Sequence, residues 1–319
     1  MNILITGAGL IGAHAARQMV DAGHEVVLFD LAPNRDYIAK VVGKDHADVV
    51  AANMLDLPAL LTALEKFNVD TMVHTAGLIG GRVQENSYTG ATNNILGTIN
   101  ILEAARLRKL SRVVYVSTFG VYDRGKINDS VVKEVHPIGG HNLYAITKVC
   151  SEHLVHAYTS MYNLDTIIIR PGGVFGRGFY VGGSTVGMVM RDLALAMIKG
   201  DPITIEAKTY GPNEYVYGKD VGLALLLACQ AQNPKQRIYN AGTGAVHGAE
   251  QLAQVMREVA PQLEVKVSGS SAADKSRSMP MDISVSQAEL GYTPKFPLKE
   301  ALKDYMDELW SEGARVATK

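Results

Sequence analysis

The sequence predicts an α/β fold, a doubly wound parallel sheet with a smaller, interleaved C-terminal lobe. Three observations carry that expectation. Through the first half, short runs rich in Val and Ile alternate with helix-length amphipathic segments. This is the pattern of β-α-β units and of a parallel sheet covered by helices on both faces. The first run opens into a turn punctuated by Gly7, Gly9 and Gly12. After Arg170 the texture changes: Gly172, Gly173, Gly176, Gly178, Gly182 and Gly183 crowd one short loop, and shorter elements follow.

Taken in order, Ile3, Leu4 and Ile5 form a short apolar run, and Asn2–Thr6 reads as a buried strand. In the turn Gly7-Ala8-Gly9-Leu10-Ile11-Gly12 the first glycine permits a tight bend. The second lets the backbone approach a pyrophosphate, and the third lets a helix pack close to the strand. The helix over Leu10–Ala22 then points its N-terminal amides and positive dipole end at the phosphates. Glu25–Asp30 is the second strand, and Asp30 at its end is placed to accept hydrogen bonds from both adenosine ribose hydroxyls and to repel a 2′-phosphate. The arrangement predicts a Rossmann-type site for NAD. Arg35 is the one residue that could welcome NADP, and the blander reading of Asp30 is a solvated strand end.

Val49–Ala52, Thr71–His74, Arg112–Ser117 and Thr166–Arg170 read as further strands; Pro58–Phe67, Asn93–Arg108 and Leu143–Tyr162 read as helices. Right-handed crossovers place the ligand outside the carboxyl ends of such strands. The residues just past each strand are therefore the candidate cofactor contacts: Gly7 to Gly12, Asp30, Asn53 with Met54, Thr75, Ala76 and Gly77, Ser117, and Pro171 with Gly173. Beyond them, Thr185–Lys199 reads as a helix, Asp201-Pro202 and Gly211-Pro212 as turns, Val221–Gln230 as a helix and Arg237–Asn240 as a strand. Gln251–Glu258 and Leu298–Leu309 read as helices. Residues 1–170 with about 211–241 are expected to form the NAD-binding domain, and 171–210 with 242–319 the substrate-binding lobe. The loop from Leu78 to Tyr88 and the lobe after Arg170 would line the substrate pocket. Gly80-Gly81-Arg82 and Gly182-Gly183-Ser184 are flexible and polar, and Arg82 and Arg191 are candidate grips for a carboxylate or phosphate.

Composition excludes several classes. The chain is 319 residues long, 47% hydrophobic and 20% charged, as a globular protein is. Its formal net charge of −1 leaves no electrostatic footprint for nucleic acid or an anionic membrane. Cys150 and Cys229 lie in helix-like apolar stretches, which argues against a structural disulfide and fits a reducing cytoplasm. The histidines show no metal-ligand spacing. The N-terminus opens directly on a strand, leaving no room for a signal peptide, and the longest apolar run, Val221 to Cys229, is too short to span a bilayer. A cytoplasmic protein with a small-molecule substrate is expected, with no metal, nucleic-acid or membrane partner.

The sharpest chemical signal after the glycine turn is Tyr144-Ala145-Ile146-Thr147-Lys148. A Tyr and a Lys four apart on a helix share a face. A phenol has a solution pKa of about 10, too high for a base at neutral pH. A nearby ammonium and a positive nicotinamide ring favour the phenolate. Lys148 can also bond the nicotinamide ribose, while Tyr144 takes a proton from a substrate hydroxyl. Ser117 and Thr118 follow the strand before this helix, where a hydroxyl can orient the reacting oxygen or merely cap a turn.

Several stretches together resemble the extended short-chain dehydrogenase/reductases, the NAD-dependent epimerase/dehydratase family. They are TGAGLIG at 6–12, Asp30, VHTAG at 73–77, NILGTINILEAAR at 94–106, VSTFGVY at 116–122, YAITK at 144–148, RPGGVFG at 170–176, EYVYGKDV at 214–221 and MDISVSQAELGYTPKFPLKEAL at 281–302. The resemblance covers nearly the whole length. It implies that Thr118 rather than Ser117 is the catalytic hydroxyl, beside Tyr144 and Lys148. It also implies that Asn94 is the structural, cofactor-proximal asparagine, and that the helices holding Asn94 and Tyr144 pack against their copies in a homodimer.

The departures narrow the function. The glycine turn is one residue shorter than usual, and Asn53 stands where the family usually has Asp near the adenine. Phe119 and Gly120 replace the Asp-Glu pair of the dehydratases, so no acid/base pair for eliminating water is present. Gly173 and Asn213 stand where nucleotide-sugar epimerases carry an asparagine and an arginine that grip the diphosphate. Such charge-assisted contacts are worth roughly 1.5–3 kcal/mol each, and Arg177 or Arg277 could compensate for them. The expected activity is an NAD-dependent oxidoreductase acting on a secondary alcohol of a sugar, sugar acid or hydroxy acid. The alternative is a sugar or nucleotide-sugar epimerase, similar to UDP-glucose 4-epimerase, that keeps and recycles its NAD. A non-catalytic dinucleotide sensor would have no use for the proton relay.

Overall fold

The computed structural model describes residues 1–178, 184–208, 210–269 and 279–311. The first half runs β1 (Asn2–Thr6), α1 (Leu10–Asp21), β2 (Glu25–Asp30), α2 (Arg35–Val42), β3 (Asp48–Ala51), α3 (Leu57–Lys66) and β4 (Thr71–His74). Two short helices follow, α4 (Gly81–Glu85) and α5 (Ser87–Ala91), then a π-helical turn (Thr92–Leu96), α6 (Gly97–Arg108), β5 (Arg112–Val116), α7 (Leu143–Tyr162) and β6 (Thr166–Pro171). The remainder comprises β7 (Gly173–Phe175), α8 (Thr185–Lys199), β8 (Ile203–Glu206), β9 (Tyr215–Tyr217), α9 (Gly218–Gln230), β10 (Ile238–Ala241), α10 (Ala249–Val259), β11 (Val265–Ser268), α11 (Ser284–Leu290) and α12 (Leu298–Ser311).

Seven strands form the central sheet in the order β10-β6-β5-β4-β1-β2-β3, and every neighbouring pair is parallel. The period-2 alternation of a strand sorts its side chains between two helical layers. Ile3, Ile5, Val26, Leu28, Val114, Val116 and Ile169 pack with Ala13, Ala16 and Met19 of α1, Ile38 and Val42 of α2, and Val221 and Leu225 of α9. Leu4, Val27, Phe29, Met72, Val113 and Ile168 face the other way, onto Leu60 and Leu64 of α3, Ile101 and Leu102 of α6, and Val155 of α7. Each fully buried aliphatic or aromatic side chain contributes about 1.5–3 kcal/mol of transfer free energy.

The order reverses between β1 and β4, so the crevice lies outside their carboxyl ends. Two small parallel pairs, β8 with β11 and β7 with β9, stand apart from the main sheet. A separate core joins Met190, Met197, Ile203, Ile205, Leu252, Met256, Leu302 and Tyr305 to Phe175 and Tyr217 of the β7–β9 pair. Both cysteines are free. Among the described residues no helix is long and apolar enough to cross a membrane.

Candidate active site

The turn after β1 is shaped as its glycines require. Gly7 has φ +87°, where an L side chain is strained. A Cβ on Gly12 would lie 1.8 Å from the Gly7 carbonyl oxygen, so α1 can approach the turn this closely only with glycine there. Thr75 fastens the turn from β4 by donating to the Thr6 carbonyl at 2.8 Å and the Gly7 carbonyl at 3.1 Å. Gly9 caps α1 with no side-chain hydrogen bond, and a Cβ there would meet nothing within 4 Å. The first turn of α1 therefore presents backbone N–H groups to open space. Leu10 turns its side chain under Gly178 and Gly218, and Ile11 packs on the core, so only their amides face the crevice. The Asp30 carboxylate is fixed by N–H donors from Ala8 at 2.7 Å and Ala32 at 2.8 Å. A carboxylate oxygen accepts more than one bond, so acceptor capacity for a ribose diol is left. Asn53 Oδ1 accepts from the Leu55 N–H at 2.9 Å; Met54 is buried, and its carbonyl accepts from Asn100 at 3.1 Å. These residues fit a dinucleotide: donors for phosphates, acceptors for a ribose, and a cradle that a side chain at Gly9 would fill.

Across the crevice, α7 begins at Asn142, whose side chain caps it by accepting from the Ala145 N–H at 2.9 Å. Its first turns carry Tyr144 and Lys148. Thr118, just past β5, lies beside the Tyr144 phenol and favours its ionised form. It also caps the short 3₁₀ turn Phe119–Val121 by accepting from the Gly120 N–H at 3.2 Å, so the capping role and the candidate catalytic role fall on one hydroxyl. Ser117 is engaged elsewhere, donating to Glu152. Lys148 is buried and donates to the Val116 carbonyl at 2.8 Å, with its ammonium 4.8 Å from the centre of the Tyr115 ring.

The expected acidification of the phenol counts on the charge of the nicotinamide ring as well as on the ammonium; the protein's own groups act the other way. Burial pushes the Tyr144 phenol up to about 12, and the neighbouring Thr118 hydroxyl opposes this only in part. The Lys148 ammonium is turned toward a backbone carbonyl. Burial likewise brings Lys148 down to about 8, opposed by the Glu152 carboxylate.

Asn94 sits in the π-helical turn and clamps the loop after β4. Its Oδ1 accepts from the Leu78 N–H at 2.8 Å, and its Nδ2 donates to the Leu78 carbonyl and to Thr147 Oγ1, each at 3.0 Å. Thr147 in turn donates to the Tyr144 carbonyl at 2.7 Å, tying this clamp to α7. Gly77 lies against the same amide.

Three features went unread in the sequence. Glu152 and Arg170 form a bidentate ion pair, with Nε–Oε1 2.9 Å and Nη2–Oε2 2.6 Å, in full burial beneath the site. Glu152 follows Lys148 by four residues, a spacing that could have revealed it. His74 at the end of β4 is buried between Thr6, 2.7 Å from its Nδ1, and Thr98, 3.3 Å from its Nε2. Burial first, then the Lys148 charge, lowers it to about 3, so it is neutral. Tyr122 donates to Asn240 Oδ1 at 2.6 Å, bracing the loop after β5 against β10.

The other expected contacts scatter. Pro171 is buried at the end of β6, and Gly173 lies in the β7–β9 pair, its N–H donated to the Glu214 carbonyl at 2.8 Å. A Cβ on Gly173 would fall 2.4 Å from Asn213 Nδ2, so Asn213 occupies the space that a side chain at 173 would need. Arg35 donates to the Val49 carbonyl at 3.4 Å. Arg177 donates to the Lys40 carbonyl at 3.3 Å, on the α2 side. Arg82 and Arg191 are exposed. Arg277 and the pair Gly182-Gly183 lie outside the described residues.

Comparison with known proteins places this geometry. The model of the NAD dependent epimerase/dehydratase family matches residues 3–242. A putative UDP-glucose 4-epimerase of Methanocaldococcus jannaschii is 30% identical over 312 residues, 94% of this chain and 96% of its own. The crystal structure of Thermus thermophilus UDP-glucose 4-epimerase in complex with NAD superposes with a TM-score of 0.81 at 27% identity, covering 97% of this chain and 99% of that one. A UDP-glucose 4-epimerase from Stenotrophomonas maltophila, solved with bound NAD and formylated UDP-arabinopyranose, shares the fold with a TM-score of 0.85 at 22% identity, over 99% and 100% of the two chains.

Proposed function

This chain belongs to the NAD-dependent epimerase/dehydratase family and is an NAD-dependent enzyme; on that premise we propose that it is a sugar epimerase, acting on a UDP-sugar or a close relative and retaining its NAD. The observation that carries the reading is Thr118, just past the carboxyl end of β5, lying beside the Tyr144 phenol, with Lys148 one turn further along α7. Bound NAD supplies a hydride acceptor that serves again as donor. With the phenolate favoured by the positive charge of a bound nicotinamide ring, Tyr144 Oη would take the proton of the substrate hydroxyl and return it once the oxidised sugar presents its other face. Thr118 Oγ1 orients that oxygen. Lys148, anchored on the Val116 carbonyl, is placed to bond the nicotinamide ribose. Asn94 holds the Leu78 loop and the start of α7 in register. Phe119 and Gly120 offer no acid/base pair for eliminating water, so dehydration is not part of the proposal.

A second reading has one observation in its favour. Asn213 packs against the α-carbon of Gly173, so position 173 offers no side chain to a diphosphate. A smaller substrate, a sugar acid or hydroxy acid oxidised with net formation of reduced cofactor, suits that wall. The test compares interconversion of UDP-glucose and UDP-galactose, followed by chromatography, with absorbance of reduced nicotinamide in a screen of sugars, uronic acids and hydroxy acids. Interconversion without net reduction is expected; steady reduction with an acid and no interconversion would replace the first reading by the second. In either case Tyr144→Phe is expected to lower turnover about 10²–10⁴-fold while leaving NAD bound. An unchanged rate would remove both. The proposal also takes the enzyme to be a homodimer, with residues 1–170 and about 211–241 as the cofactor lobe and 171–210 with 242–319 as the substrate lobe.

A further inference from the structure

We infer that Glu152, paired with Arg170, is a positioning residue: it holds Ser117, and with it the adjoining Thr118, and it supplies the negative charge that Lys148 faces. The inference rests on the roles proposed above for Thr118, Tyr144 and Lys148.

The geometry comes first. Tyr144, Lys148 and Glu152 follow one another at four-residue steps along α7, so they share a face. The Glu152 side chain is 3% exposed and that of Arg170 2% exposed. Arg170 alone would satisfy the carboxylate, through Nε at 2.9 Å and Nη2 at 2.6 Å. Yet Oε1 also accepts from the Ser117 hydroxyl. The Ser117 N–H is donated to the Ile169 carbonyl at 2.8 Å. Residue 117 is thereby fixed from both its backbone and its side chain, and the peptide after it bears Thr118. Arg170 Nη1 also donates to the Glu134 carbonyl at 3.0 Å, and the guanidinium lies 4.7 Å from the centre of the Tyr122 ring. One carboxylate thus ties α7, the end of β5 and β6 together directly beneath the candidate proton-transfer pair.

The charge pattern is the second strand of the argument. Facing Lys148 are Glu152 on its own helix, His74 on β4 and the Tyr115 ring on β5, with Arg170 of β6 on the far side of the Glu152 carboxylate and Tyr144 one turn before Lys148 on α7. His74 is held neutral, and burial keeps the Tyr115 phenol protonated. Among these groups Glu152 is the carboxylate, set between two buried cations. An ion pair that served only to stabilise the core could be replaced by apolar or neutral side chains of similar volume at little cost. A pair that also sets the site could not.

The test uses Glu152→Gln/Arg170→Met, which removes both charges together and leaves no buried cation unpaired, beside Glu152→Gln alone. Calorimetric titration of NAD into nucleotide-stripped protein as a function of pH requires no sugar. Wild-type affinity is expected to fall through about pH 8, where Lys148 loses its proton. In the double variant that midpoint is expected about one pH unit lower, with a melting temperature close to wild type. An unmoved midpoint in the folded double variant overturns the inference and leaves the pair a purely structural one. Should the double variant fail to fold, Ser117→Ala decides. It is expected to lower kcat about tenfold with KM unmoved in whichever assay of the proposed function shows turnover, and a wild-type kcat overturns the inference. Tyr144→Phe is run alongside. Loss of its turnover with an unmoved NAD midpoint in the double variant refutes only the present inference, whereas retained turnover in Tyr144→Phe refutes the proposed function.

Discussion

At the scale of single residues, Ser117 and Thr118 show how far sequence reading reaches. A hydroxyl pair after a strand was legible, but their division of labour was not, because it depends on a glutamate 35 positions on that accepts from Ser117 and not from Thr118. Lys148 is similar: its place on the face of Tyr144 follows from spacing, whereas its bond to the Val116 carbonyl follows from packing. Two buried histidines carry a prediction that spacing could not suggest. Burial lowers His14 to about 4 and His74 to about 3, against an ordinary value of 6.5. Both are neutral in the folded protein and protonate more readily when it unfolds. The unfolded state therefore binds more protons below pH 6.5, and stability falls as pH drops from there toward about 4. The loss is on the order of 3 kcal/mol for each histidine across that window. Urea unfolding measured between pH 7 and 4.5 is expected to show the decline, and His14→Gln is expected to make it shallower. An equal slope in that variant would place the acid sensitivity elsewhere.

Among the elements, the long periodic ones were readable and the short ones were not. β1, β2, β4, α7 and α8 have the bounds their patterns predict, since alternation or helical period plus a cap specifies each one locally. β7 is three residues long and exists because β9 pairs with it; α4 and α5 fill what reads as a flexible loop. α2 had its signal, Asn34 accepting from the Tyr37 N–H ahead of Ile38, Val41 and Val42, but the segment is brief. The helix starts differ in a telling way. α2, α3, α7 and α8 are capped by the side chains of Asn34, Asp56, Asn142 and Ser184, whereas α1 has Gly9 and no side-chain cap. Gly9→Ser is therefore expected to stabilise the nucleotide-free protein by a few tenths of a kcal/mol, since its Cβ meets nothing. It is also expected to weaken NAD binding by tenfold or more, because the new hydroxyl takes the amides a phosphate would use. Paired melting and binding measurements check both signs; gain in affinity would contradict the assignment of that turn.

For the whole molecule, the doubly wound sheet was legible because alternating strands and helices admit few topologies. Of the second core, in which α8, α10 and α12 close over β7–β9, the helices were legible but the strands were not, since they are too short to show a period. The proposed dimer belongs at this scale. Leu96 and Leu107 on the π-turn and α6, and Ile146, Met161 and Tyr162 on α7, are large apolar side chains left exposed on adjoining helices. Sedimentation is expected to give twice the chain mass, and Leu107→Lys/Met161→Lys to give a monomer; a monomeric wild type would end the proposal. The π-helical turn at Thr92–Leu96 has a reach of its own. It inserts one residue into an otherwise regular coil, and each residue is about 100° of rotation. Segment lengths here are thus a hidden parameter for anyone splicing homologous pieces: a chimera trimmed by one position would keep Ile101 and Leu102 in their sockets, look intact, and swing the Asn94 amide off its target.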